Sequence, residues 1–518
     1  MSWKEEVDGI LRRRELAGQH GGAEAVAKFR AAGRHPVRER IDALVDAGSF
    51  HEHAQIAGVS ETDDDGQLTS FTAANTVVGV GRVGGRRAVV CGDDFTIRGA
   101  AYTAVGIKKG QYADQLAVKR RLPLIRLLDS GGATVAGATG TRGRSGYDMT
   151  SPSMMNLLCV DALATVPVVC AALGPTAGFP AARLVASHLA IMTRNTSQVL
   201  TGGPALVERA IGERPSKEEL GGASVHMRSG VIDNVAADEG EVWRLVKTFL
   251  SYLPSNVWQP APRLHAHDPP SRCEEELLSI IPRNRRRAFK IRRVIDLIVD
   301  RGSFFEKTPG YGRSLVTGLA RMAGQPVALI ANDCFHDGGA MTAESAQKVR
   351  RFVEFADTFH LPVVSLVDQP GFMIGMPAEA AGTIRHGMEA MFAALQTSVP
   401  WIAVLLRKAF GVAQGIHLGP GATVLAWPSA ESGALPVEGG VALAFRREIE
   451  AAESPDAKRR ELEDEIAAAQ SVFPRAEEFG VHELIDPRET RPYICEWLQE
   501  VDQQLATRSG PRQYTVRP

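Results

Sequence analysis

The groups best placed to do chemistry in this chain are backbone groups, in four glycine-bearing loops. These are "DSGGATVAG" (Asp129–Gly137), "LGPTAGF" (Leu173–Phe179), "DQPGF" (Asp368–Phe372) and "RKAFGVAQG" (Arg407–Gly415). The loops sit where an apolar, strand-like run gives way to a helical pattern. A strand–glycine–helix junction exposes backbone N–H groups, and the start of the helix adds positive partial charge. Such a loop holds an oxyanion without any charged side chain. One glycine loop alone is usually a turn. Four, in two matching pairs, suit two carbonyl-bearing ligands that face each other. No nucleophile–base set competes with them, and the six cysteines, Cys91, Cys159, Cys170, Cys273, Cys334 and Cys495, are scattered without a CxxC pair.

The elements that must position these loops are written twice. "LPLIRLLDSGG" from Leu122 returns as "LPVVSLVDQPG" from Leu361, 239 residues later. "VRERIDALVDAGSFHE" from Val37 returns as "IRRVIDLIVDRGSFFE" from Ile291, shifted by 254, and "GRVGGRRAVVCGDDF" from Gly81 returns as "ARMAGQPVALIANDCF" from Ala320, shifted by 239. "VPVVCAALGPTAG" from Val166 is answered by "VPWIAVLLRKAFG" from Val399, shifted by 233. The fall from 254 to 239 assigns extra residues to the first copy, and polar "SETDDDGQLTS" (Ser60–Ser70) is the expected insertion. Short apolar runs alternating with helical patterns, roughly over 102–121 and 343–360, predict α/β domains with buried, largely parallel sheet. The predicted domains are residues 1–260 and 275–518, joined by a proline-rich linker, "PAPRLHAHDPPSRCEEELL" (Pro260–Leu278).

Composition narrows the class. A chain of 518 residues is too long for one ordinary core. With 59 Lys+Arg against 60 Asp+Glu, it has no global attraction to nucleic acid or anionic membrane. The most apolar stretch, Leu163–Ala190, is interrupted by Pro167, Pro175, Pro180 and Arg183, so a strand–loop–helix is expected there rather than a membrane span. The N-terminus reads as an amphipathic helix rather than a signal peptide, and the scattered cysteines fit a reducing, cytoplasmic interior. The basic run "PRNRRRAFKIRR" (Pro282–Arg293) reads as a solvated face. His336, His386 and His417 near the second-copy loops are expected to be structural, and Arg407 and Lys408 either steer an anion or cap a strand.

The motifs "RERIDALVDAGSF", "DDFTIRGAA", "LLDSGGA", "GPTAG", "SKEELGGASVH", "LSYLPSN", "VDQPGFMIG", "IRHGMEAM", "RKAFG", "LAWPSAE" and "EGGVALAFRREIE" run almost end to end. In their order they resemble the carboxyltransferase (β) subunit of biotin-dependent acyl-CoA carboxylases, the propionyl-CoA and methylcrotonyl-CoA carboxylase group. The resemblance implies two tandem crotonase-like (ClpP/crotonase) domains built of ββα repeats. The first would take the acyl-CoA, and the second would take carboxybiotin carried by a partner. It implies a hexameric ring and a biotin carboxylase with a biotin carboxyl carrier as partners, with no metal. An acyl-CoA decarboxylase, or an assembly subunit without catalysis, shares the same pattern.

Carried over by motif, the oxyanion donors are the amides of Gly178 and Phe179 on the acyl-CoA side and of Val412 and Ala413 on the biotin side. Gly131, Gly132, Ala133, Thr134 and Gly415 would lie along the acyl-CoA, and Gly371, Phe372 and Gly411 along the biotin. The chain departs from the pattern at several positions. Phe179 and Val412 stand where glycines are usual, Pro180 where an alanine is usual, Thr134 where an arginine is usual, and Gly415 where an aspartate influences acyl choice. Pro180 has no N–H to give.

Overall fold

The computed structural model describes residues 2–132 and 160–512. These separate into two compact units. One is built from the residues up to Ser251 with Ser255–Val257, the other from Tyr252–Pro254 and the residues after Val257.

The first unit contains β1 (His51–His53), β2 (Gly58–Thr62), β3 (Leu68–Ala73), β4 (Thr76–Val83), β5 (Arg86–Asp93), β6 (Leu124–Ser130), β7 (Val168–Ala177), β8 (Leu189–Thr193), β9 (Gln198–Leu200) and β10 (Asn234–Ala236). Its sheet runs β1-β4-β5-β6-β7-β8-β10, with β9 on the far end of β7. The second unit contains β11 (Phe305–Lys307), β12 (Leu315–Met322), β13 (Gln325–Asn332), β14 (Val363–Gln369), β15 (Trp401–Phe410), β16 (Thr423–Ala426), β17 (Glu431–Gly433) and β18 (Glu483–Leu484). Its order is β11-β12-β13-β14-β15-β16-β18, with β17 on β15. In both, the first three strands pair antiparallel and the rest parallel. The duplication seen in the sequence is therefore a duplication of strand order and pairing direction.

Parallel strands covered on both faces should be apolar without alternation. From Val168 to Leu173, β7 buries every side chain completely. Helix Ala104–Arg120 packs on β4 and β5 in the first unit, and helix Ala343–Thr358 packs on β12 and β13 in the second. The predicted insertion is the hairpin β2–β3, which pairs only with itself. The turn before β1 is clamped by Asp46, whose carboxylate accepts the Gly84 and Gly85 amides at 3.1 and 2.7 Å. Asp300 repeats the clamp on Ala323 and Gly324 at 3.0 and 2.8 Å.

The proline-rich segment next to the boundary between the units is pinned to the second unit. Arg491 holds the Asp268 and Pro269 carbonyls at 3.0 and 2.9 Å, and Arg272 reaches the Leu297 and Val299 carbonyls at 2.7 and 2.8 Å. Leu277 is buried in the second core. Sequence periodicity misses such a strap because side-chain donors from other elements fix its backbone. Among the described residues, no helix is long and apolar enough to cross a membrane.

Candidate active site

Both units end their longest strand in the same junction. After β7, Gly178 takes φ 68° and ψ −127°, and the helix Phe179–Val185 begins. After β15, Gly411 takes φ 65° and ψ −165°, and a 3-10 helix runs over Val412–His417. L side chains rarely adopt such positive φ, so glycine fits both turns. Each glycine donates its own N–H sideways, Gly178 to the Leu200 carbonyl at 2.9 Å and Gly411 to the Gly433 carbonyl at 3.1 Å. The Gly178 amide is thus engaged within its own unit. The positions that follow the turn are Phe179 and Pro180 in one unit and Val412 and Ala413 in the other. The amides of Val412 and Ala413 meet no acceptor among the described residues. Ala413 is fully buried, whereas Val412 is 59% exposed.

The strand-end loops beside them are held by main chain. Gly131 donates to the Gly99 carbonyl at 2.9 Å, and Gly132 accepts the Tyr102 amide at 3.1 Å. A Cβ on Gly132 would lie 2.5 Å from the Ala177 oxygen, so glycine lets this loop approach the end of β7. In the second unit the Gly371 carbonyl accepts the Met341 amide at 2.9 Å and the Gln369 side chain at 2.7 Å. The Phe372 ring lies over Gly387, where a Cβ would stand 2.2 Å from it. Gly415 faces Met391, whose sulfur would be 2.9 Å from an added Cβ, so an aspartate there requires that side chain to move. Ala133 and Thr134 lie outside the described residues.

The repeated aspartates are structural. Asp368 is fully buried and takes the Arg407 guanidinium at 3.0 and 2.7 Å, while Arg407 also donates to the Arg287 carbonyl at 2.8 Å. Arg407 thus locks the strand end rather than steering a ligand. Asp129 likewise pairs with Arg40 at 2.8 Å and with Arg34. His336 meets Arg313 at 3.0 Å, and His386 lies between Gln347 and Glu389 at 3.1 and 3.3 Å.

His417 has a larger role than its sequence context suggests. Fully buried at the end of the 3-10 turn, it bonds Ser365 through Nδ1 at 2.9 Å and Gln369 Oε1 through Nε2 at 3.2 Å. Gln369 Oε1 also accepts from Asn332 at 2.9 Å, so one network ties the Gly371 loop to the Val412–His417 turn. Burial pushes the imidazole down to about 4. Between about pH 6.5 and 4 the unfolded chain therefore takes a proton that the folded chain refuses. Stability from this site is complete above pH 6.5 and is lost as pH falls toward 4, by about 2 kcal/mol at pH 5. Denaturation of wild type and His417→Gln at pH 7 and pH 5 should show the difference between them moving toward the variant by that amount. An unchanged difference would rule the account out.

Two further clusters escaped the sequence reading. Asp114 takes Arg126 at 2.8 Å and Arg183 at 2.8 Å on both oxygens, all three buried beneath the helix Phe179–Val185. The signal was an arginine inside the apolar run "LPLIRLLDS", where the second copy has Ser365. The other cluster is Asp93, in a cleft beside Phe179.

Comparison with known proteins adds the following. The carboxyl transferase domain family matches residues 28–512. The propionyl-CoA carboxylase carboxyltransferase subunit of Haloferax mediterranei is 31% identical over 497 residues, covering 95% of this chain and 95% of that protein. The methylmalonyl-CoA decarboxylase subunit alpha of Veillonella parvula is 32% identical over 485 residues, covering 92% of each. A transcarboxylase 12S crystal structure, a hexamer assembly with methylmalonyl-coenzyme A and methylmalonic acid bound, superposes with a TM-score of 0.87 at 31% identity, covering 100% of this chain and 98% of that one. The paired sheets are thus the crotonase-like architecture that the motifs implied.

Proposed function

The chain belongs to the carboxyl transferase domain family and moves a carboxyl group to or from an acyl-CoA; from that premise we propose that it is the carboxyltransferase subunit of an acyl-CoA carboxylase. In this reading the first unit takes the acyl-CoA, and the second takes carboxybiotin from a separate carrier chain that a biotin carboxylase recharges. The observation that carries it is the repeated junction, with two unengaged amides at Val412 and Ala413.

Those two amides suit a ureido oxygen. An oxygen gaining negative charge is stabilised most by donors already fixed in place. The Val412–His417 turn is fixed by the His417–Gln369–Asn332 network. Bound carboxybiotin would supply the carboxyl group and a ureido oxygen of suitable basicity. On the acyl-CoA side the Phe179 amide follows the Gly178 turn and is the donor we assign to the thioester oxygen. Gly178 serves as the turn, and Pro180 gives no N–H. Gly131 and Gly132 shape the first pocket, and Gly371, Phe372 and Gly411 the second. A hexamer in the cytoplasm completes the reading; it is supported by the 12S assembly and by the free thiols of Cys91, Cys170, Cys273, Cys334 and Cys495.

Labelled bicarbonate, ATP, a biotin carboxylase and a biotinylated carrier would be combined with this chain and a panel of acyl-CoAs. Label entering an acyl-CoA only when the chain is present is the expected result. A charged carrier that yields no labelled acyl-CoA would overturn the carboxylase direction. Release of label from carboxylated acyl-CoAs in the same mixture would identify the decarboxylase, the direction of the Veillonella parvula relative.

A further inference from the structure

The helix Lys4–Gly18 presents to solvent a face that its own unit leaves uncovered. Its inner side carries Ala17, fully buried with Ala73 and Ile97, and packs on β3. Its outer side carries Trp3, Val7, Ile10 and Leu11, exposed by 77, 48, 39 and 54%. Trp3, Val7, Ile10 and Arg14 follow one another at steps of four, three and four residues. At about 100° per residue these positions fall on one stripe, with Leu11 at its edge. Steps of this kind make the seam of a helix pair, which repeats every 3.5 residues or about that.

The charges say what that seam fits. Glu5, Glu6 and Asp8 lie in the first half of the helix, and Arg12, Arg13 and Arg14 in the second. Glu5, Glu6, Asp8 and Arg14 make no ion pair among the described residues, whereas Arg12 pairs with Glu15 at 2.7 Å. A second helix of the same sequence, running antiparallel, sets each acidic half against a basic half. A parallel one sets like charge against like. Antiparallel pairing also places Arg14 opposite Trp3 at both ends and Val7 opposite Ile10 in the middle. Trp offers the best aromatic face to a guanidinium. The helix is therefore complementary to its own reverse. The same charges disfavour a lipid surface, because an interfacial helix keeps its bases on the polar face, and here Arg14 interrupts the apolar one.

We infer that the helix Lys4–Gly18 docks on the same helix of a second copy of this chain, antiparallel, across a two-fold axis that passes beside Asp8 and Gly9. Each copy then offers the same patch, as a two-fold contact requires. Helices of 15 residues are roughly 22 Å long and bury well under the about 1,200 Å² of a free-standing complex. The contact therefore tightens or joins assemblies that other surfaces already hold together, and does not build one alone.

Cross-linking of the full chain reads the contact directly. Val7→Cys would be placed in a chain carrying Cys273→Ser, which removes an exposed native thiol, and treated with a short bis-maleimide. Helix axes about 8–10 Å apart bring this seam position within reach of its copy. A cross-linked dimer should form in at least about fivefold higher yield than from Glu5→Cys in the same background, which lies on the opposite side of the helix. Adding Trp3→Arg should lower the yield about fivefold, because one guanidinium then faces another. Exchanging the two ends, Trp3→Arg with Arg14→Trp, should restore it to within about twofold, since an antiparallel pair keeps both contacts. Equal yields from Val7→Cys and Glu5→Cys, or an exchange that does not restore the cross-link, would overturn the pairing. Anionic phospholipid vesicles that bind the chain and abolish the cross-link would assign the stripe to a membrane surface and overturn it as well.

Discussion

Replacing Ala413 with proline is expected to lower carboxyl transfer by about 10²–10³-fold and to leave the second unit folded, because it removes one backbone donor and little else. The first unit supplies the precedent. Pro180 stands 233 residues earlier at the same step of the same junction, and the helix Phe179–Val185 starts there without difficulty. Proline is tolerated in a first helical turn because its missing N–H has no intrahelical acceptor to lose. The Ala413 amide meets no acceptor among the described residues, so its loss should cost little stability. Rates would be followed with the charged carrier, and folding by thermal denaturation of the same preparations. Full activity in a folded Ala413→Pro protein would remove that amide from the mechanism. The opposite change, Pro180→Ala, adds an N–H beside Phe179 and serves as the control for the turn itself.

The second large effect concerns stability. Asp114 is the only carboxylate that Arg126 and Arg183 contact through hydrogen bonds among the described residues. Asp114→Leu strands two buried guanidinium groups, and breaking a buried pair from one side costs about 3–5 kcal/mol. The same arithmetic says that removing all three charges is far milder, because well-packed apolar replacements avoid the desolvation of every member. Chemical denaturation of Asp114→Leu and of the triple variant Arg126→Met, Asp114→Leu, Arg183→Met should rank them in that order, with the triple variant the more stable. The reverse order would mean that Asp114 acts by filling space rather than by neutralising charge.

Much of this architecture was readable before any coordinates. A repeat at slowly drifting offsets already implied two similar sheets, and the drift located the hairpin β2–β3. Glycines before helical patterns pointed to the two junctions. The direction of individual N–H groups was not readable, because it depends on which neighbouring strand end supplies a carbonyl. Gly178 is committed to Leu200 across a pairing, β7 with β9, that no local pattern announces. Buried polar networks were equally hidden. His417 looks ordinary in a linear reading and Arg126, though conspicuous in an apolar run, does not name its partner there; their partners lie 48 to 52 and 12 residues away. The anchoring of the proline-rich segment was hidden for the same reason, since Arg491, which holds its Pro269 and Asp268 carbonyls, lies 222 and 223 residues away.

The hairpin β2–β3 has one more implication. It is the place where the first half is longer than the second, and it pairs with no strand of the main sheet. The ladder order of the two halves stayed the same while their spacing changed. The hairpin is thus a stretch whose length neither main strand ladder depends on, a natural place to shorten or extend the chain without altering the pairing of either sheet.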